Sequence, residues 1–229
     1  THFDRLLGEV DACVIATPPR THYAIAKACL KAGKHVLVEK PLALDPGQAQ
    51  ELVELAKAKG CALQVDDTWA YDDRCQEKLA RARHLHEFSS PVTHVFDWFN
   101  LREKTSEEGI LWTQGPHAVS LMLRVVREPT ILRVSAVMDE RSATLEYHFA
   151  HDGVVIRLEW WKKREKVRSF LSTTGMVYRR PVWFNRFLRP ANRSQTVRFD
   201  ASKGTPGREP LVLMAEAFLD RASRGEVET

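Results

Sequence analysis

The text between Ala12 and Val38 constrains the fold of this chain more than any other stretch. Ala12-Cys13-Val14-Ile15-Ala16 is short, apolar and partly β-branched, and it stops at Pro18-Pro19, as a fully buried parallel strand stops at its carboxyl end. From Thr21 to Ala32 the residues Tyr23, Ile25, Ala26, Cys29 and Leu30 share one broad helical face, and Gly33 supplies the stop. His35-Val36-Leu37-Val38 reads as a second buried strand. Strand, helix and strand over about 25 residues make a βαβ unit, and a crossover of that kind joins parallel strands. Ligands of such sheets collect beyond the carboxyl ends of the strands. Thr17-Pro18-Pro19 and Glu39-Lys40-Pro41 occupy those ends.

Further along, Asp45 or Pro46 starts a helix running through Ala58, with Ala49, Leu52, Val53, Leu55 and Ala56 inward, and Lys59-Gly60 ends it. Cys61 to Val65 is a third buried strand, and from Asp66 the texture changes. Asp72 to Leu85 reads as a charged helix, and Pro116 to Val126 as a helix with His117 in its first turn. Alternating runs follow at Val92–Phe99, Leu132–Met138, Thr144–Phe149, Val154–Trp161 and Val167–Ser172, with turn signals such as His151-Asp152-Gly153 between them. The expected class is α/β: a partial Rossmann-type, doubly wound parallel sheet over residues 1–66, then an α+β segment over 67–229 with a large, mainly antiparallel open sheet. Leu145, Tyr147 and Phe149 fall on one side of that sheet, with Trp160 and Trp161 on opposite sides, which predicts an apolar open face. A site is expected in the crevice between the two parts.

Composition narrows the function. The net charge of +4 is slight; basic residues are denser over Lys162–Arg168 and Arg179–Arg193, but Lys162-Lys163-Arg164 reads as the solvated outer end of the Val154–Trp160 strand, and no recognition helix or RNA motif accompanies the charge. Nucleic acid is therefore not an expected partner. Cys13, Cys29, Cys61 and Cys75 show no metal-type pairing and read as core thiols of a reducing, cytoplasmic protein. No apolar run approaches membrane-spanning length, and no metal site is expected.

At the Thr-Pro-Pro and Glu-Lys-Pro ends, with His22 between them, the chain resembles the Gfo/Idh/MocA oxidoreductases, which carry both motifs in this order and spacing. Asn100-Leu101 followed by Gly109-Ile110-Leu111-Trp112-Thr113-Gln114-Gly115-Pro116-His117 is similar to the segment holding that family's catalytic histidine. Within the family it is most similar to nucleotide-sugar 3-dehydrogenases, whose run is Leu-Trp-Asp-Leu-x-Pro-His-Asp. With Asp152-Gly153-Val154 and Trp160, the resemblance covers nearly the whole chain. It departs at Thr113 and Ala118, where those relatives carry Asp. The Gly-x-Gly-x-x-Gly turn that opens a dinucleotide fold is not in this sequence; Gly204 and Gly207 lie near its end in a Ser-Lys-Gly-Thr-Pro-Gly loop, before which the sequence leads one to expect no strand. The resemblance therefore leads one to expect roughly 60 to 70 residues ahead of Thr1, the length of two βα units, and a further helix after Thr229.

The resemblance implies hydride transfer between a sugar carbinol and NAD or NADP, with a UDP-linked hexose derivative as first candidate substrate and a homo-oligomer formed through the open sheet. It places Thr17, Pro18, Pro19, His22, Glu39, Lys40 and Pro41 around the cofactor, and Asn100 and Thr113 near the substrate. Lys40 and His117 take the catalytic roles. Those residue types suit them: a strand-end ammonium favours alkoxide character, and an imidazole accepts the carbinol proton near neutral pH. Pro116 would fix the helix entry that aims His117. The rival reading is a non-catalytic binding or oligomerisation module that keeps the fold, which Thr113, Ala118 and the missing phosphate turn favour.

Overall fold

The computed structural model describes residues 5–89, 92–101, 108–126, 130–148, 153–161, 167–174, 196–200 and 209–224. They fall into two compact units, one built from 1–71 with 208–229 and one from 72–207. Among the described residues no helix is long and apolar enough to cross a membrane.

The first unit holds β1 (Ala12–Ile15), α1 (Pro19–Lys31), β2 (His35–Val38), α2 (Pro46–Lys59) and β3 (Leu63–Val65), then a 3-10 turn over Thr68–Tyr71. The strands pair in parallel in the order β1-β2-β3, with Val14 opposite Leu37 and Leu37 opposite Gln64. Local chemistry sets the helix limits. Pro19 opens α1, where its missing N–H costs nothing, and Gly33 closes it at φ 73°. The Asp45 carboxylate caps α2 by accepting from the Gln48 N–H at 2.9 Å, and Gly60 ends it at φ 63°. Cys13, Ile15, Val36, Val38 and Leu63 share one face of the sheet and pack on Ala26, Cys29 and Leu30 of α1 and on Leu52 and Ala56 of α2.

Strand alternation sends Leu37 and Gln64 to the other face, which needs its own cover. The cover is the helix Pro210–Arg224, expected with the second segment, whose Met214 and Phe218 close over Leu37 and Ala62. Buried Gln64 binds it too, reaching the Met214 carbonyl at 3.4 Å while Arg221 donates to the Gln64 Oε1 at 3.1 Å. The helices thus lie on both faces of the parallel sheet, as expected of a doubly wound unit. The boundary differs: the residues expected as one 67–229 segment are shared between the units. Val14 also differs, being 72% exposed where a fully buried strand was expected.

The second unit holds α3 (Asp73–Phe88), β4 (Val92–Leu101), α4 (Gly109–Val125), β5 (Arg133–Met138), β6 (Ser142–His148), β7 (Gly153–Trp161), β8 (Val167–Thr174) and β9 (Thr196–Asp200). The helix of the first unit's second face, Pro210–Arg224, is therefore α5. The sheet order is β5-β6-β7-β4-β8-β9, antiparallel except for the parallel β4-β7 pair. A Cβ added to Gly115 of α4 would meet the Leu158 side chain at 3.8 Å, so α4 lies over the Leu158 face. Register puts Leu145 opposite Ile156 and Tyr147 opposite Val154, on that same face. This corrects the expectation of an apolar open face built on Leu145 and Tyr147. The opposite face carries a two-pronged ion pair, Arg157 Nε and Nη2 to the Asp97 carboxylate at 2.5 and 2.6 Å. Phe149, His151, Asp152, Lys162 to Lys166, Arg179 to Arg193, Gly204 and Gly207 lie outside the described residues, and so do the side chains of Trp160 and Trp161.

Candidate functional site

The parallel register sets Ile15, Val38 and Val65 abreast. The ladder continues one step beyond them, with the Glu39 N–H donating to Ile15 at 2.8 Å and the Asp66 N–H to Val38 at 2.7 Å. Residues 16–17, 39–40 and 66–67 therefore leave the sheet side by side at its carboxyl rim. Thr17 and Pro18 are exposed, Pro19, Glu39, Lys40 and Asp66 are half-buried, and Pro41 is buried. At the entry of α1 the Thr21 hydroxyl lies 2.7 Å from both the Thr17 hydroxyl and the Pro18 carbonyl, and the Thr21 N–H donates to that carbonyl at 2.9 Å. These contacts close the turn that the proline pair begins.

His22, expected among the cofactor-loop residues, sits beneath the rim at 1% exposure. Its Nδ1 is 2.7 Å from the Pro41 carbonyl and its Nε2 is 2.7 Å from the Thr17 carbonyl. Its contacts are with the two loops.

Asp66 was not among the expected site residues. Burial first, and then the charge and hydrogen bonding of Glu39, push its carboxyl up to about 6. The signal was present in the sequence: Asp66 follows the third apolar strand as Thr17 follows the first and Glu39 the second. The rim so gathers a hydroxyl, an ammonium and a pair of interacting carboxyls.

In the second unit His117 is half-buried on α4, one turn after Thr113. The helix begins at Gly109, so His117 is in its interior and Pro116 is an interior proline, which corrects the expectation of a first-turn position. The reason is a continuous buried stripe, Ile110, Gln114, Ala118, Leu121 and Val125, that carries the helix through the proline. The Thr113 hydroxyl donates back to the Gly109 carbonyl at 2.9 Å, with Ile110 O at 3.3 Å. Ala118 is fully buried. Asn100 stands near the end of β4, opposite Trp160 of β7. The structure thus gathers Thr17, Pro18, Pro19, His22, Glu39, Lys40 and Pro41 in one unit, and Asn100, Thr113 and His117 in the other.

A parallel sheet with helices on both faces and polar residues at its carboxyl rim defines an α/β unit of the dinucleotide-binding class. Residues 1–67 match the family model described as an oxidoreductase family with an NAD-binding Rossmann fold. Inositol 2-dehydrogenase 1 of Saccharopolyspora erythraea is 36% identical over 96% of this chain and 70% of its own length. UDP-N-acetylglucosamine 3-dehydrogenase of Acidithiobacillus ferrooxidans is 44% identical over 77% of this chain and 61% of its own length. The chain belongs to the Gfo/Idh/MocA oxidoreductase family. It spans only part of its curated relatives, 38% of the oxidoreductase YdgJ of Escherichia coli, for example. The fold also matches the solved structure of GenD2 from gentamicin A biosynthesis in complex with NAD, with a TM-score of 0.77 at 21% identity over 99% of this chain and 73% of that one.

Proposed function

We propose that the full chain transfers hydride between a sugar carbinol and NAD or NADP, with a UDP-linked hexose derivative as the substrate class. The observation that supports this best is Lys40, a half-buried ammonium at the carboxyl end of β2, on the rim it shares with Thr17, Glu39 and Asp66. The rim fits a nicotinamide ribose chemically: a hydroxyl and a carboxylate can hold ribose hydroxyls, and Pro18 and Pro19 offer apolar surface to a ring. When bound, the dinucleotide supplies the hydride acceptor or donor. Lys40 Nζ donates to the carbinol oxygen and favours its anionic form, and a ring nitrogen of His117 takes the carbinol proton. Asn100 and Thr113 are proposed to contact the sugar. The relatives named as UDP-N-acetylglucosamine 3-dehydrogenase and inositol 2-dehydrogenase support a cyclic polyol or sugar as substrate.

The second reading, a non-catalytic binding module, is favoured by Thr113: it brings no carboxylate one turn from His117, and its hydroxyl is engaged by the Gly109 carbonyl. Turnover of a UDP-sugar panel with NAD and NADP by the full chain distinguishes the two. Lys40→Ala is expected to lower kcat by about two to four orders of magnitude with the fold intact. Thr113→Asp is expected to raise activity by orienting His117 and favouring its protonated form. Failure of both wild type and Thr113→Asp to turn over any sugar, with NADH still bound, establishes the module instead. We further propose self-association through the second unit's sheet, supported by Val134, Val137 and Met138 exposed on its edge strand β5, and a cytoplasmic setting, supported by four free thiols. A monomeric mass by light scattering at micromolar concentration overturns the former.

A further inference from the structure

We propose that His22 is a positioning residue that ties the Thr17 loop to the Lys40 loop and so sets where the Lys40 ammonium stands; the proposal rests on the role given to Lys40 above. Both partners are backbone carbonyls, Pro41 at 2.7 Å from Nδ1 and Thr17 at 2.7 Å from Nε2. A carbonyl only accepts and a neutral imidazole carries one N–H, so the two contacts are hydrogen bonds together in the imidazolium form, in which Nδ1–H donates to Pro41 and Nε2–H to Thr17. The side chain is 1% exposed, and water does not compete for either bond. His22 itself is held in the first turns of α1, whose Ala26, Cys29 and Leu30 are locked into the core against Ile15 and Val38. The ring is thus a rigid strut rooted in the helix, and its two ends grip the two loops at the rim. Pro41 directly follows Lys40, so a displacement of the Pro41 carbonyl moves the backbone from which Lys40 projects. The Thr17 end governs the turn into α1, and the Pro41 end governs the ammonium.

The two ends can be separated. In His22→Gln the amide nitrogen takes the place of Nε2 and keeps the Thr17 tie; in His22→Asn it takes the place of Nδ1 and keeps the Pro41 tie. With NAD and UDP-N-acetylglucosamine as probes in the full chain, His22→Gln is expected to lower kcat by about 10- to 100-fold with the KM for NAD within about twofold. His22→Asn is expected to raise that KM by about three- to tenfold with kcat nearly kept. Independently of turnover, the rate of reductive methylation of Lys40, followed by mass spectrometry, should change several-fold in His22→Gln and stay at the wild-type value in His22→Asn. Equal losses in the two variants, or an unchanged Lys40 rate in His22→Gln, overturn the proposal. Should a variant fail to fold, NMR of wild type labelled with 15N-histidine and 13C-proline decides: a coupling across the hydrogen bond from Nδ1–H to the Pro41 carbonyl is expected, and a ring nitrogen exchanging freely with solvent refutes the tie. The labelling and NMR readouts need no sugar, so a chain that oxidises none of the panel but shows both overturns the proposed reaction and keeps the strut.

Discussion

Asp66 shows how one carboxyl at a strand end is tuned by its neighbours. Its ordinary value is 3.8, and burial with the adjoining Glu39 raises it to about 6. A carboxyl raised in the folded state holds a proton the unfolded chain has already lost, so it costs stability above about pH 6, and the cost fades as the pH falls through 6 towards 3.8. Asp66→Asn removes that cost. It should stabilise the first unit by about 1 kcal/mol at pH 8, allowing for solvent screening at a half-buried group, and by nothing measurable at pH 4. Urea unfolding at the two pH values checks it, and an equal effect at both contradicts the raised carboxyl. The placing of Lys40 and Thr17 at strand ends was legible because their loops follow strands whose apolar runs are local and unbroken. His22 was legible only as part of a motif. Its contacts reach a carbonyl 19 residues away, and nothing in the spacing reveals that both ring nitrogens face carbonyl oxygens.

At the scale of elements, α4 is the instructive case. Gly115-Pro116 reads as a break, because proline removes a helical N–H and its ring crowds the preceding turn. The helix nevertheless runs from Gly109 to Val125, since its buried stripe packs on both sides of the proline. Only the bond to the Trp112 carbonyl is forfeited. Pro116→Ala should therefore stabilise the second unit by about 1–3 kcal/mol, read as a rise in Tm. A loss of kcat in the same variant would tie the proline to the placing of His117, which follows it. The strands of the second unit were legible from alternation, but the face they offer to helices was not. Parity within β6 groups Leu145 with Tyr147, yet only the register with β7 decides that this group looks toward α4. The destination of α5 was equally hidden, for its Met214 and Phe218 meet Leu37 and Ala62, which belong to the opposite end of the chain.

On a larger scale, His94 and Asp66 answer acid in opposite senses. In the second unit His94 is fully buried between the Ser172 hydroxyl, 2.8 Å from Nδ1, and His86, 3.3 Å from Nε2. Burial first, then the charge of His86, lowers its ring from 6.5 to about 3. The unfolded chain takes up that proton first as the pH falls, so stability is intact above about 6.5 and declines below it, by about 3 kcal/mol at pH 4. Asp66 gives the first unit a change of the opposite sign over the same range. Hydrogen exchange between pH 7 and 4 should show amides of β2 and α1 gaining protection relative to those of β4 and β8, with His94→Gln levelling the decline. Parallel changes in both units would contradict these assignments.

Val14 has one more consequence. It stands 72% exposed on β1, and β1 forms the outer edge of the described parallel sheet, with its backbone groups on that side paired to no described strand. An apolar margin of this kind is a template for any other extended chain, and proteins ordinarily guard such margins with a lysine, a proline or a bulge. Cys13-Val14-Ile15 has none of these gatekeepers. Any thioflavin-positive assembly that starts at this margin is therefore expected to be delayed several-fold in onset by Val14→Lys, with the Ile15 side of the strand left packed. An onset time that ignores Val14→Lys would mean the assembly starts elsewhere.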